Sequence, residues 1–183
     1  MTNKFKLFLK SKGQAGFTLI ETLVAVLILV TAIAGPLTIA SKGLNAALVA
    51  KDQITAFYLA QDAVEFVRYQ RDTGCLAAGS PCASANWLSR LSICTSTNGC
   101  YIDSTKATNP ITPCGPGCPN LLKYDITNHL FSYSAGSATT FTRSVVITPS
   151  ADEAILTVMV SWTDIGGITH PPVKVVENLF NWE

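Results

Sequence analysis

Six cysteines are the side chains whose number and spacing most clearly predict chemistry in this 183-residue chain. They form three close pairs along the sequence, Cys75 with Cys82, Cys94 with Cys100, and Cys114 with Cys118. An even set of cysteines in an exported protein predicts disulfides. Because short loops close at the smallest entropy cost, neighbour pairing is the simplest of roughly 15 connectivities. We therefore predict a disulfide-closed loop over residues 75–118, provided that this part of the chain is exported.

A metal site is the alternative interpretation of these cysteines. Neither histidine, His129 nor His170, is close to them in sequence, and no cysteine pair has the two-residue spacing of zinc ligands. We predict no metal and no cofactor. Asp152, Glu153 and Asp164 lie beside predicted turns and could offer oxygen ligands to calcium, but solvated turn acids are the simpler interpretation.

The sequence contains no catalytic constellation. It lacks the serine-hydrolase elbow, the zinc-protease helix motif, the phosphate-binding loop and the dinucleotide fingerprint. Trp87 and Tyr101 could contact a ligand near the cysteines, although packing within the loop is the simpler interpretation. We predict that the chain is not an enzyme.

Glu21 has the most unusual setting of any acid in the chain. It is the single charge among the 24 residues 17–40, a stretch long enough to span a bilayer. A carboxylate inside a membrane helix costs roughly 2.5–3.5 kcal/mol, so it is rarely without a role. Gly35 and Pro36 interrupt the same stretch and predict either a fixed kink or a locally loosened helix.

A basic segment precedes this apolar stretch. Residues 1–16 contain four lysines and no acid, and Gly16 stands at the junction. A secretory signal peptide carries its cleavage site after the apolar stretch rather than before it. An uncleaved signal anchor would also keep the lysines in the cytoplasm, but it leaves Glu21 unexplained.

The junction resembles the processing site of type IV prepilins and pseudopilins, and its sequence is Gly16-Phe17-Thr18-Leu19-Ile20-Glu21. The resemblance implies that prepilin peptidase cuts after Gly16 and that the new terminus, Phe17, is methylated. It also implies that Glu21 pairs with the terminal amine of Phe17 on a neighbouring subunit. That pairing would offset the desolvation of the carboxylate and set the axial offset between subunits.

The resemblance also implies the partners and the location of the chain. The partners are other pilins, both major and minor, prepilin peptidase, the inner-membrane assembly platform, and membrane lipid before assembly. The chain would cross the cytoplasmic membrane once, with its head outside the cytoplasm, and then join an extracellular pilus. Removing the four lysines of residues 1–16 from the thirteen basic residues leaves nine, against twelve acidic residues. That balance argues against nucleic acid as a partner and leaves room only for a small basic patch.

The pattern stays helical beyond the membrane stretch. Residues at helical spacing include Ala50, Ile54, Phe57, Gln61 and Val64, with Tyr58 beside them. Gly74 is a suitable left-handed cap, so we predict one helix from Phe17 to about Asp72. Residues 75–120 predict a loop. Five candidate strands follow, at Leu122–Ile126, Phe131–Ser134, Thr140–Thr148, Ala154–Trp162 and Val173–Asn181.

The predicted fold is α+β, with a long N-terminal helix packed on a C-terminal antiparallel sheet and a cysteine-rich loop between them. Apolar and polar residues alternate along Ala154–Trp162, as in a half-buried strand. The predicted parts are a leader (1–16), a transmembrane or filament-core helix (17–40), an amphipathic helix half (41–73) and a globular head (74–183). In that head the cysteine loop covers 75–118 and the sheet covers 121–183.

A structural subunit, a minor pilin of a type IV pilus, is the leading hypothesis for function. The end of the chain, from Val158 to Trp182, resembles minor pilins of the pilus-modification type. A pseudopilin of a type II secretion system shares the same N-terminus. A third hypothesis is a binding module, either a tip adhesin or a DNA-uptake pilin whose cysteine loop makes the contact. The near-neutral head weakens the DNA version.

Overall fold

The computed structural model describes residues 16–77, 87–164 and 166–181. The chain divides into two compact units, Met1–Ala46 and Ala47–Glu183. One helix, α1, spans Leu19–Ala77. It begins just after Thr18 because that residue caps it: the N–H of Glu21 donates to the carbonyl of Thr18 at 3.1 Å and to its Oγ1 at 3.3 Å.

The end of α1 lies beyond the predicted stop. The helix continues through Gly74 to Ala77, and Gly74 is not among the residues with positive φ. The prediction of a left-handed cap at Gly74 is therefore wrong. A Cβ at this position would lie 3.3 Å from Cδ of Arg90, so the glycine leaves room for a side chain of the following segment.

Seven strands form one antiparallel sheet in the described part of the chain, which confirms the α+β class. They are β1 (Cys100–Ile102), β2 (Ile111–Pro113), β3 (Leu121–Asp125), β4 (Leu130–Ser132), β5 (Ser137–Pro149), β6 (Glu153–Trp162) and β7 (Val173–Phe180). β6 pairs with one edge of β5, while β3 and β1 share the opposite edge. The five predicted strands correspond to β3 through β7, with shifted ends.

The segment predicted to be a loop contains regular structure. A 3₁₀ helix spans Ser89–Thr95 and buries Leu91 and Cys94, and β1 and β2 follow it. β1 pairs with β5 through Cys100 and Val145. A three-residue strand is too short to show an alternating pattern, so its pairing partner rather than its own sequence defines it.

The core of the second unit lies between α1 and one face of the sheet. The helix face that packs there is rich in small residues, since Ala56, Ala60 and Ala63 are fully buried. The predicted helix face is therefore wrong in most positions. Its bulky members Ile54 and Phe57 are exposed, as are Gln61 and the neighbouring Tyr58, whereas Val64 is buried. Hydrophobic periodicity gives such alanines little weight because their side chains are small, so it favoured the bulkier residues.

β6 behaves as its sequence predicts. Its buried positions alternate along the strand from Ala154 to Trp162, and the intervening residues are exposed or half-buried. One face of the strand therefore supplies core side chains.

Candidate assembly site

The junction between the basic segment and α1 is accessible. Gly16 and Phe17 precede the helix, and Phe17 is 78% exposed. Glu21 lies in the first helical turn and is exposed, and none of the ion pairs among the described residues involves it. The carboxylate is therefore available to a partner outside the chain.

An exposed apolar surface follows this junction. Among the described residues, one helix is long and apolar enough by length and composition to cross a membrane, and its best 18-residue window has a mean hydropathy of 2.5. None of that window is buried within the chain. The helical backbone continues through Gly35 and Pro36, so this pair does not end α1. The kink or loosening expected there stays a prediction.

Two local cysteine pairs form disulfides, Cys94–Cys100 and Cys114–Cys118, each with Cα atoms 4.7 Å apart. The first joins the 3₁₀ helix to β1, and the second closes the turn between β2 and β3. All four cysteines are buried. Cys82 and the side chain of Cys75 lie outside the described residues, so that pairing stays a prediction.

The head contains a buried cation that sequence analysis missed. Arg143, in β5, is 2% exposed, and its Nη1 donates to Oδ2 of Asp62 at 2.7 Å and to the carbonyl of Leu59 at 2.7 Å. Its Nη2 donates to the carbonyl of Ile102 at 2.6 Å. Arg143, in β5, therefore connects α1 with β1 through these hydrogen bonds. A basic residue within a strand pattern gives no signal of such partners, because they lie far away in sequence.

Asp103, directly after β1, is a second buried polar residue that was missed. Its carboxylate accepts hydrogen bonds from the N–H and hydroxyl of Thr105, the N–H of Tyr133 and the hydroxyl of Ser134. Burial alone would raise the pKa of Asp103. The hydrogen bonds from Thr105 and Tyr133, with the charge of Lys106, outweigh burial and hold this pKa below its ordinary value.

His170 contacts two neighbouring side chains, Trp162 and Asp164. The His170 ring stacks on Trp162 with centroids 5.7 Å apart, and its Nε2 lies 3.2 Å from Oδ2 of Asp164. The hydrogen bond from Ile168 outweighs partial burial and, together with His170, lowers the pKa of Asp164. No group of three His, Cys, Asp or Glu side chains in the described part of the chain is placed to hold a metal ion.

The other ligand candidates lie in packed or turn positions. Trp87 is buried in the core, and the Tyr101 ring packs on Tyr133 with centroids 4.5 Å apart. Asp152 lies in the turn before β6, where its carbonyl accepts a hydrogen bond from the N–H of Asn181. Glu153 is exposed at the start of β6.

Comparison with known families identifies the N-terminal part of the chain. Residues 11–35 match the family model described as the prokaryotic N-terminal methylation motif. This motif is characteristic of type IV pilin-like prepilins and pseudopilins. The chain therefore carries a prepilin-type N-terminal methylation motif. Neither curated proteins nor solved structures gave a match to this chain.

The motif has direct consequences for a pilin-like precursor. It implies processing by prepilin peptidase and assembly with other pilins. The pilin-like family is structural rather than enzymatic. Together with the exposed apolar helix, the motif is consistent with anchoring in a membrane followed by assembly.

Proposed function

We propose that this pilin-like chain is a minor pilin that is cleaved between Gly16 and Phe17, methylated on Phe17 and assembled into an extracellular type IV pilus. The observation that carries the proposal is the methylation motif at the start of an exposed apolar helix. In this proposal residues 1–16 are a removed leader and residues 17–40 lie in the membrane and later in the filament core. Residues 41–73 form an amphipathic helix half, and 74–183 form the exported head.

Glu21 is the assembly residue in this proposal. Its carboxylate lies four positions after Phe17 and is exposed in a segment with no other charge. Cleavage after Gly16 would create a positively charged amine at Phe17. Between neighbouring subunits, an amine and a carboxylate in a low-dielectric core attract strongly, and each offsets the desolvation of the other.

The head suits an environment outside the cytoplasm. The two disulfides among its described residues join segments that are close in sequence, and such bonds persist in oxidising compartments. The bonds hold short strands and turns that have little regular hydrogen bonding of their own. This feature favours display on a filament over a role inside the cell.

Processing is tested by mass spectrometry of the protein recovered from membranes. The expected mature terminus is a methylated Phe17. Gly16→Ala should slow cleavage because the peptidase must fit a small residue at the scissile bond, while Gln14→Ala serves as the matched control in the leader. Recovery of a mature chain that begins at Met1, or one that begins near residue 40, would refute the processing step.

Assembly is tested by counting molecules per sheared filament. Glu21→Ala and Glu21→Gln should both leave cleavage intact and reduce incorporation, since each removes the charge that pairs with Phe17. Thr22→Ala, a neighbouring exposed position without charge, should enter filaments at the wild-type level. Wild-type incorporation of either Glu21 variant would show that the pair does not form. A wild-type chain that is processed but absent from sheared filaments would favour a secretion pseudopilus instead.

A further inference from the structure

The geometry points to a neutral sugar as the ligand of a cleft in the head. Residues of α1, the loop after β1 and the turn between β3 and β4 form this cleft. The cleft has a volume of about 340 Å³. This lies near the lower end of the range for small-molecule sites, roughly 300–1,000 Å³. It lies entirely within the second unit of the chain, so it does not depend on the filament.

Apolar and aromatic side chains supply two walls of this cleft. Tyr58 and Leu59 line it from α1, and Leu130 and Phe131 line it from β4. The Phe131 ring packs on Tyr124 with centroids 5.0 Å apart, so its position is set before any ligand binds. Tyr58 is 66% exposed, and its ring is therefore available as a stacking surface.

Polar groups with unused capacity line the remaining sides. Within the described residues both hydrogen bonds to the Asp62 carboxylate end on Oδ2, from Arg143 at 2.7 Å and from the Ser104 hydroxyl at 3.2 Å. Its Oδ1 can therefore accept from a ligand. Nδ1 of His129 lies 3.0 Å from the Tyr124 hydroxyl, and Nε2 then donates or accepts according to the tautomer.

The charges around the cleft favour a ligand without net charge. Among the described residues that line it, Asp62 is the one acid, and no lysine or arginine is present. A phosphate or carboxylate ligand would meet the Asp62 carboxylate. A cationic ligand at Oδ1 of Asp62 would lie close to the buried guanidinium of Arg143, which already pairs with this carboxylate at 2.7 Å, and the two positive charges would repel each other.

A pyranose ring combines the properties that this lining requires. Its C–H face can lie against Tyr58 or Phe131, and each hydroxyl can both donate and accept a hydrogen bond. Donation to Oδ1 of Asp62 and pairing with Nε2 of His129 would use the two polar groups that have spare capacity. A wholly apolar ligand would instead desolvate these groups without replacing their bonds to water.

Binding is tested by saturation-transfer NMR on the full-length chain in a detergent without a sugar headgroup. The probes are the methyl glycosides of glucose, galactose, mannose and N-acetylglucosamine, which represent the terminal residue of a glycan. Glucuronate and glucosamine are the charged comparisons. We expect saturation of the ring protons of at least one neutral glycoside, with weaker transfer to both charged sugars. Absence of transfer to every neutral glycoside, or a preference for a charged sugar, would overturn the inference.

Two variants locate the site within the head. Tyr58→Ala removes the exposed ring, and His129→Asn removes the imidazole but tolerates the φ of 55° at this position. Each should weaken binding by roughly threefold to tenfold, because one aromatic stack or one hydrogen bond is lost. Tyr69→Ala is the matched control, an exposed tyrosine on the same helix that does not line the cleft, and it should bind as the wild type does.

A second groove next to Tyr58 provides the decisive comparison. Tyr58 also borders a groove with Phe57, Pro171 and Lys174, and that groove has no acid among its described lining residues. If Phe57→Ala weakens binding while His129→Asn does not, the sugar occupies that groove and the assignment is wrong. Since filaments are not involved in this assay, a failure of pilus assembly would leave its outcome unchanged.

Discussion

Replacement of Arg143 tests whether a buried cation holds the head together. Arg143→Ala removes three hydrogen bonds that join α1 and β1 to β5, from a side chain that is 1% exposed. Removing one partner of a buried ion pair costs about 3–5 kcal/mol. The Asp62 side chain is 46% exposed and can be rehydrated, so we expect the lower value, about 3 kcal/mol. That loss corresponds to a fall in Tm of roughly 6–12 °C for a chain of this size.

Arg143→Met separates the contribution of packing from that of charge. Methionine fills most of the space and also removes Nε, a buried atom with no hydrogen-bond partner among the described residues. Apolar replacements of similar volume at buried ion pairs are often neutral. We therefore expect Arg143→Met to lower the free energy of unfolding by less than half as much as Arg143→Ala does. An equal loss in both variants would mean that the hydrogen bonds, and not the filled volume, hold this part of the core.

A double-mutant cycle isolates the ion pair. Asp62→Asn keeps an acceptor for Arg143 but removes the charge, so it should cost about 1–2 kcal/mol in the wild type, the difference between a charged and a neutral hydrogen bond. In the Arg143→Met background the same change should cost less than about 0.5 kcal/mol, because the donor is gone. Glu65→Gln, another exposed acid on the same helix, should stay within about 0.5 kcal/mol in both backgrounds.

The assay is chemical and thermal unfolding of the full-length chain in detergent, followed by near-ultraviolet circular dichroism. Trp87 and Trp162 are buried in the head core and report its tertiary packing. The role of the Arg143–Asp62 pair is refuted if the free energy of unfolding of Arg143→Ala lies within about 1 kcal/mol of the wild-type value. It is also refuted if Asp62→Asn lowers the free energy of unfolding equally in both backgrounds.

Three further predictions concern the head. The pKa of Asp103 is lowered in the folded state. The ionised carboxylate therefore stabilises the fold at pH values above its ordinary pKa of 3.8, and this stabilisation is lost as the pH falls through the folded pKa. In melting experiments at a series of pH values, Asp103→Asn should reduce the loss of stability at acidic pH. Gly99→Ala should be strongly destabilising in denaturant titrations, because its φ is 70° and a Cβ would collide with the Val145 carbonyl. Gly117→Ala, with a φ of 73° and open space around it, should cost only about 1–2 kcal/mol; equal losses would contradict the clash. Peptide mapping of native protein should find the bonds Cys94–Cys100 and Cys114–Cys118, and free thiols at these positions would contradict the structure.

The features that the sequence determined by itself are local ones. The methylation motif depends on the order of a basic segment, Gly16, Phe17 and Glu21, and no fold is needed to recognise it. The apolar helix follows from the length of an apolar stretch that contains a single charge, Glu21. β6 follows from strict alternation, because a strand with one buried face repeats every two residues whatever lies beside it.

Other features were decided by contacts between distant segments. α1 buries Ala56, Ala60 and Ala63 in the core, whereas the pattern of bulky residues favoured a different face. α1 continues through Gly74, beside the Arg90 side chain, whereas the sequence favoured a helix end there.

The buried ion pair depends most clearly on contacts between distant parts of the chain. Arg143 is separated from Asp62 by 81 positions, and its strand looks the same in sequence whether the guanidinium reaches solvent or the core. Burial of a charge is stable only where carbonyls and a carboxylate converge on it. That convergence arises when α1, β1 and β5 come together in the fold, and no window along the chain contains all three.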